Sequence, residues 1–284
     1  MRSVAGFFAV LVSCVFFCGC GSQDRESGRA GSAETLLVYV PCGMEMPFMA
    51  LGRQFESDNP GVRVNLLLDN SNILAKRVTE KNERPDVMVS PGAIEMDSLL
   101  ASGHIAPKDI THFGRYELVL FCPRSNPGDL ATFADLATNG IETIAVADPE
   151  TTSVGYYTRE TLQNLGLWEK VKSKVVVTAD PSMAYKHVAR GKAQASFAYR
   201  SCPLKTAPEK LEYSKVRIVE SVPREAYGPA YASIALLRDS PNRELGSSFV
   251  SMVMSAAGQA VLAKYEVPCM DRAADPGGQS GRRQ

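Results

Sequence analysis

A chain of 284 residues, 45% hydrophobic and 22% charged, carries enough apolar surface to bury one large core or two modest ones. Its 31 Lys and Arg are balanced by 31 Asp and Glu. No overall field therefore recruits nucleic acid or an anionic membrane, and binding must come from a local site.

Arg2 precedes an apolar run from Val4 to Phe17, short for a bilayer span but suited to the apolar region of a secretory signal. Phe17-Cys18-Gly19-Cys20 then resembles a bacterial lipobox, with Phe17 where Leu is usual and Cys20 as the lipidated residue. Residues 1–20 read as a lipoprotein signal peptide and 21–34 as a flexible Gly/Ser tether. Cys42, Cys122, Cys202 and Cys269 remain in the body of the chain. Four thiols in an oxidising compartment allow zero, one or two disulfides, and none sits in a CxxC pair of the kind a structural zinc site uses.

Leu36 to Val40 is an apolar run of strand type, broken by Pro41-Cys42-Gly43, and a helical pattern begins at Met44 and continues through Phe48, Leu51 and Phe55 to Asp58-Asn59-Pro60-Gly61. A helix opening directly from a buried strand directs its unpaired N–H groups and positive dipole end at the space above the strand, where an anion can be held. The same device recurs. Val62 to Leu68 leads through Asp69-Asn70-Ser71-Asn72 into a helix from Ile73, and Asp86 to Ser90 leads through Pro91-Gly92 into a helix from Glu95 to Gly103. Leu118 to Cys122 is a strand, Thr132 to Thr138 a short helix, and Ile144 to Ala147 a strand leading into Asp148-Pro149-Glu150. Beyond Thr151-Thr152-Ser153-Val154-Gly155 a helix runs to Gly166, and Val175 to Val177 turns through Asp180-Pro181-Ser182 into a helix of Met183 to Arg190. Ala195 to Tyr199, Val216 to Val222 and Tyr231 to Leu237 read as strands, Glu244 to Tyr265 as one or two helices, and 271–284 as a disordered tail. Alternating strands and helices of this length define an α/β chain with largely parallel sheets, whose ligand site lies beyond the carboxyl ends of the strands.

Several stretches resemble the molybdate-binding proteins of ABC importers: ILAKRV, RPDVMVSPG, ELVLFCP, RGKAQASFAYRS and above all ADPETTSVGYYTRETLQNLGLWE. The resemblance spans Leu36 to about Tyr265. It implies an α/β, two-lobed periplasmic-binding-protein fold of type II, with lobe 1 at about 35–120 and 203–270 and lobe 2 at about 121–202. It also implies a ligand, molybdate or tungstate, held between the lobes by hydroxyls and backbone N–H groups with no counter-charge, no cofactor, and delivery by a monomer to a membrane permease. Carried across by motif, the site is Cys42 and Gly43 (where the family usually has Ala-Ser), Ser71 and Asn72, Val154, Pro181 or Ser182, and Tyr199. Gly43 lacks the family's hydroxyl and Pro181 has no N–H to donate.

Those departures leave a second reading open. Arg200 follows Tyr199 and can add charge for another oxyanion, or Cys42, Met44 and Cys202, with Met46 nearby, can take a soft metal. The bland alternative makes the methionines core and the cysteines buried or bridged. An enzyme is disfavoured: His104, His112 and His187 have no partner at catalytic spacing, and GxSxG, HExxH and phosphate-loop motifs are missing from the sequence. His104 and His112 read as surface loop residues, and Asp148 and Glu150 as caps of the following turn.

Overall fold

The structure, a computed structural model, describes residues 34–200 and 215–268. The signal, the tether up to residue 33, the tail, and Cys20, Cys202 and Cys269 lie outside the described residues. In chain order the elements are β1 (Glu34–Pro41), α1 (Glu45–Asp58), β2 (Val62–Asp69), α2 (Ser71–Thr79), β3 (Val87–Ser90), α3 (Ala93–Ala101), β4 (Ile110–Arg115) and β5 (Leu118–Pro123). They continue with β6 (Ile144–Ala147), α4 (Ser153–Asn164), α5 (Trp168–Val171), β7 (Val175–Thr178), α6 (Pro181–Ala189), β8 (Ala195–Tyr199), β9 (Val216–Ser221), β10 (Tyr231–Leu236), α7 (Arg243–Met254) and α8 (Ala256–Lys264).

Two five-stranded sheets result, ordered β2-β1-β3-β10-β4 and β7-β6-β8-β5-β9. Within each, four strands run in one direction and one, β10 or β5, runs against them, so each sheet is mixed with most of its strands parallel. The antiparallel partner wedged beside β3 is β10, and beside β8 it is β5. Each is the first strand after the chain crosses from the other lobe, so the two lobes are built on one plan. β9 pairs with β5 in the second sheet. Val216–Ser221 therefore belongs with the second sheet and not with the first lobe, a placement that depends on pairing across a hundred residues. The polar, Gly-containing β4 was not expected either; it lies at a sheet edge with β10 as its only partner among the described residues, and Phe113 and Gly114 are its buried residues.

Alternation along the strands sends neighbours to opposite faces. Val38 and Val40 join a core that continues through both lobes with Phe48, Leu120 and Ile144, while Tyr39 between them faces a separate cluster with Leu74, Met88 and Leu99. In the second lobe Phe121 turns away from that shared core toward Ala184 and Val188. Phe48 anchors α1, its ring 6.0 Å from Phe113 and 6.4 Å from Phe249. The C-terminal segment splits into two helices at Ser255, whose side chain caps the second by accepting from Gly258 N–H at 3.1 Å.

Two chain crossings join the lobes, at 116–117 and at 222–230. Buried Tyr227 ties them together: its hydroxyl accepts from Leu118 N–H at 3.1 Å and donates to Tyr116 O at 3.3 Å. Tyr116 N–H also donates to Ala230 O at 2.8 Å. Such paired crossings flex as one unit when two lobes open and close.

Candidate functional site

Each strand-turn-helix unit ends at the cleft between the lobes. Pro41 stops β1, and the single turn Cys42–Met44 leads into α1 with no side-chain cap. The N-terminus of α2 follows Asn70 and that of α3 follows Gly92, again without side-chain caps. Helix geometry leaves the first N–H groups of these helices without intrahelical partners. From the second lobe, α4 is capped by Thr152, which accepts from Gly155 N–H at 3.1 Å, and α6 by Asp180, which accepts from Met183 N–H at 2.9 Å. Gly155 lets α4 begin directly on the end of β6: a Cβ there would lie 2.1 Å from Ala147 O.

These termini surround a cavity of about 130 Å³, small beside the roughly 300–1,000 Å³ of sites for drug-sized ligands. Cys42, Gly43, Ser71, Val154, Pro181, Ser182 and Tyr199 all line it. Asn72 stands just behind, its amide donating across the cleft to Ala179 O at 3.3 Å. The tyrosine rings of Tyr116 and Tyr199 stack at 4.3 Å on the apolar side. Among the described residues, no Lys, Arg or His contributes to the lining.

Sequence reasoning missed Glu95. This residue of α3 is 1% exposed and lines the cavity. Its Oε1 accepts from the Ser71 hydroxyl at 2.7 Å and from Ser153 N–H at 3.5 Å; its Oε2 accepts from the Ser153 hydroxyl and from Ser90 Oγ at 3.3 Å. Ser153 belongs to the opposite lobe, and its Oγ also accepts from Ile94 N–H at 3.1 Å. A glutamate in the first turn of a helix is ordinary, so only the fold distinguishes it. Gly92 was likewise read as a plain turn residue, yet a Cβ on it would lie 2.3 Å from Ser153 Cβ.

Arg200 is not in the cavity. Its Nε and Nη2 bond the Glu117 carboxylate at 2.6 and 3.2 Å, and Nη2 also reaches Ser221 Oγ. Arg200 therefore braces the crossing at 116–117 against β9. Burial works to raise the Glu117 carboxyl, and the Arg200 guanidinium with Ser221 outweighs it and holds the group below the usual carboxylate range. Stability from this pair is present at neutral pH and is lost as pH falls through that lowered value. The pair is partly exposed, so it contributes about 0.5–1 kcal/mol. Arg200→Ala is expected to lower the melting temperature by a few degrees and leave ligand affinity within about twofold, measured by thermal denaturation and titration.

Of the residues named for a soft metal, Cys202 lies outside the described residues, and Met44, which lines the cavity beside Cys42, is fully buried and packed in the shared core with Phe48. Cys42 is a free thiol at the exposed rim, raised by desolvation and then by the nearby Asp69 carboxylate, which favours the neutral thiol over the metal-binding thiolate. Among the described residues no cluster of three or more His, Cys, Asp or Glu is disposed to hold a metal. Cys122 is a buried free thiol. Asp148 caps its turn, accepting from Glu150 N–H at 2.9 Å and the Thr151 hydroxyl at 3.0 Å. His112 lies in β4 instead of a loop, stacked 4.4 Å from Tyr231.

Two mixed sheets of this order around an interlobe cavity define a type II two-lobed binding protein. Residues 36–265 match the family described as bacterial extracellular solute-binding protein, and the chain belongs to that family. The molybdate-binding protein ModA of Mycobacterium tuberculosis (strain H37Rv) is 30% identical over 263 residues, 90% of this chain and 95% of that one. A Bacillus subtilis (strain 168) protein with the provisional name ABC transporter substrate-binding lipoprotein YvgL is 25% identical over 91% of this chain and 95% of its own. The solved Azotobacter vinelandii periplasmic molybdate-binding protein superposes with a TM-score of 0.66 over 84% of this chain and all of its own, at 18% identity, a likeness of fold. The chain is thus a solute-binding protein and not an enzyme.

Proposed function

We propose that this protein is the extracytoplasmic receptor of an ABC importer, anchored by lipid at Cys20, and that it carries a molybdate- or tungstate-type oxyanion as a monomer to its permease. One observation carries the reading. Residues 42–43, 71, 154, 181–182 and 199, distant in sequence and picked out by motif, line one small cavity ringed by helix N-termini.

Helix N-termini and hydroxyls satisfy a compact anion without a formal counter-charge, and fixed donors select by size. Tyr199 and Tyr116 exclude water on one side, which strengthens each of those hydrogen bonds. The relatives named for molybdate and for ABC transport support the ligand and the partner. Titration calorimetry with molybdate, tungstate and sulfate, with and without reductant, tests the reading. The expected result is binding of molybdate and tungstate well ahead of sulfate, indifferent to reductant because Cys42 is a rim thiol. Silence toward all three anions overturns it.

A further inference from the structure

Glu95 has no place in a site built only from neutral donors, and its position sets a chemical condition on whatever enters. Both of its oxygens accept hydrogen bonds, and the residue is buried in the cavity wall. A carboxylate and an oxyanion are both acceptor-only, and two negative groups in one small cavity raise each other's affinity for a proton. The hydroxyl donors cannot resolve the conflict. Ser71 and Ser153 have one hydroxyl proton each, and both point at Glu95; a hydroxyl that turns to the ligand leaves the carboxylate short of a donor. Ser90 cannot make up the difference, because its proton is shared with Gly92 O at 2.9 Å.

Resting on the oxyanion reading, we propose that the site admits its oxyanion together with one proton, which lies between the Glu95 carboxylate and a ligand oxygen. Glu95 is then a specificity-determining residue: it favours oxyanions whose oxygens are basic enough to share a proton, such as hydrogen phosphate or hydrogen arsenate, and disfavours sulfate.

The titratable groups that face Glu95 come from α4 and from the cavity mouth. The lining from α2, α6 and β8 offers serine and tyrosine, and among the described residues no Lys, Arg or His lines the cavity to neutralise a second negative charge. Tyr157 of α4 has its phenol raised, chiefly by burial and further by the Glu95 charge, so it stays protonated. The Cys42 thiol is raised in the same sense, and the carboxylates acting on it, Asp69, Glu45 and Asp180, add negative charge at the mouth.

The test is titration calorimetry of the purified protein with molybdate at about pH 6 and about pH 8, in pairs of buffers with different protonation enthalpies. Expected is uptake of about one proton per anion, with affinity falling about 100-fold between the two pH values. Glu95→Gln keeps the shape and turns an acceptor oxygen into a donor. Its binding is expected to be flat with pH, without proton uptake, and tighter than wild type at pH 8. A competition arm with phosphate and sulfate is expected to rank phosphate first in wild type and to lose that order in Glu95→Gln. Wild-type binding that is flat with pH and takes up no proton overturns the proposal while leaving the oxyanion reading intact. No binding of any tested anion by either protein at either pH overturns the oxyanion reading itself. The wild-type proton count decides the matter even if the variant fails to fold.

Discussion

Gly92→Ala is expected to weaken ligand binding about 100-fold, roughly 2.7 kcal/mol, while leaving the fold intact. Gly92 precedes α3 with φ −175° and ψ −169°, extended backbone that alanine also adopts, so the substitution places no strain on its own lobe. The added Cβ instead meets the other lobe, at 2.3 Å from Ser153 Cβ, 2.4 Å from Ser153 Oγ and 3.1 Å from Tyr199 Oη. Ser153 cannot swing away, because its Cβ is fixed by the α4 backbone and Gly155 seats that helix on β6. The lobes must separate. Separation breaks Ile94 N–H to Ser153 Oγ at 3.1 Å and Asn72 to Ala179 O at 3.3 Å, and it exposes the cavity to water. A ligand that is held only in the closed form loses affinity by the fraction of molecules that can still close. Small-angle scattering with saturating ligand is expected to show a larger radius of gyration than wild type, and the melting temperature of the unliganded protein to be unchanged. Wild-type affinity in this variant would mean that ligand is bound without bringing α3 against α4.

The strand-turn-helix units were legible because each combines an apolar run, a turn residue and a helical period within about twenty residues. β6 and β8 lie where the sequence placed them. What depended on distant pairing was not legible: β9 belongs with β5, and nothing local to Val216–Ser221 says so. The cavity residues divide the same way. Ser71 stood out by its chemistry at a helix start, whereas Val154 and Tyr199 came only through the family resemblance, since a valine offers just its backbone. Arg200 was misread because it follows Tyr199. Consecutive residues of an extended segment point to opposite sides, so when Tyr199 lines the cleft its neighbour turns to Glu117. Glu95 was invisible because its partners Ser71, Ser90 and Ser153 come from three other elements and two lobes.

Gly43→Ser is expected to tighten oxyanion binding about tenfold, about 1.4 kcal/mol. The position lines the cavity, a Cβ there meets nothing within 4 Å, and its backbone is not in the left-handed region, so a side chain enters without strain or collision. Serine restores the hydroxyl that the resemblance leads one to expect at this place in the first loop. A new hydrogen bond to a charged group is worth about 1.5–3 kcal/mol, and ordering one short side chain offsets only part of it. The gain matters here because the second lobe supplies few N–H donors: Pro181 has none, and Asp180 already takes the Met183 N–H. Gly43→Ala is the control, since it fills the same space without a donor and is expected to leave affinity unchanged or slightly weaker. If calorimetry finds the serine and alanine variants equal, the first loop does not address the ligand through this residue, and the donors must come from α2 and α4 alone. If serine gains and alanine does not, the glycine is the reason this receptor holds its anion less tightly than its scaffold allows, and Glu95 then decides which anion that is.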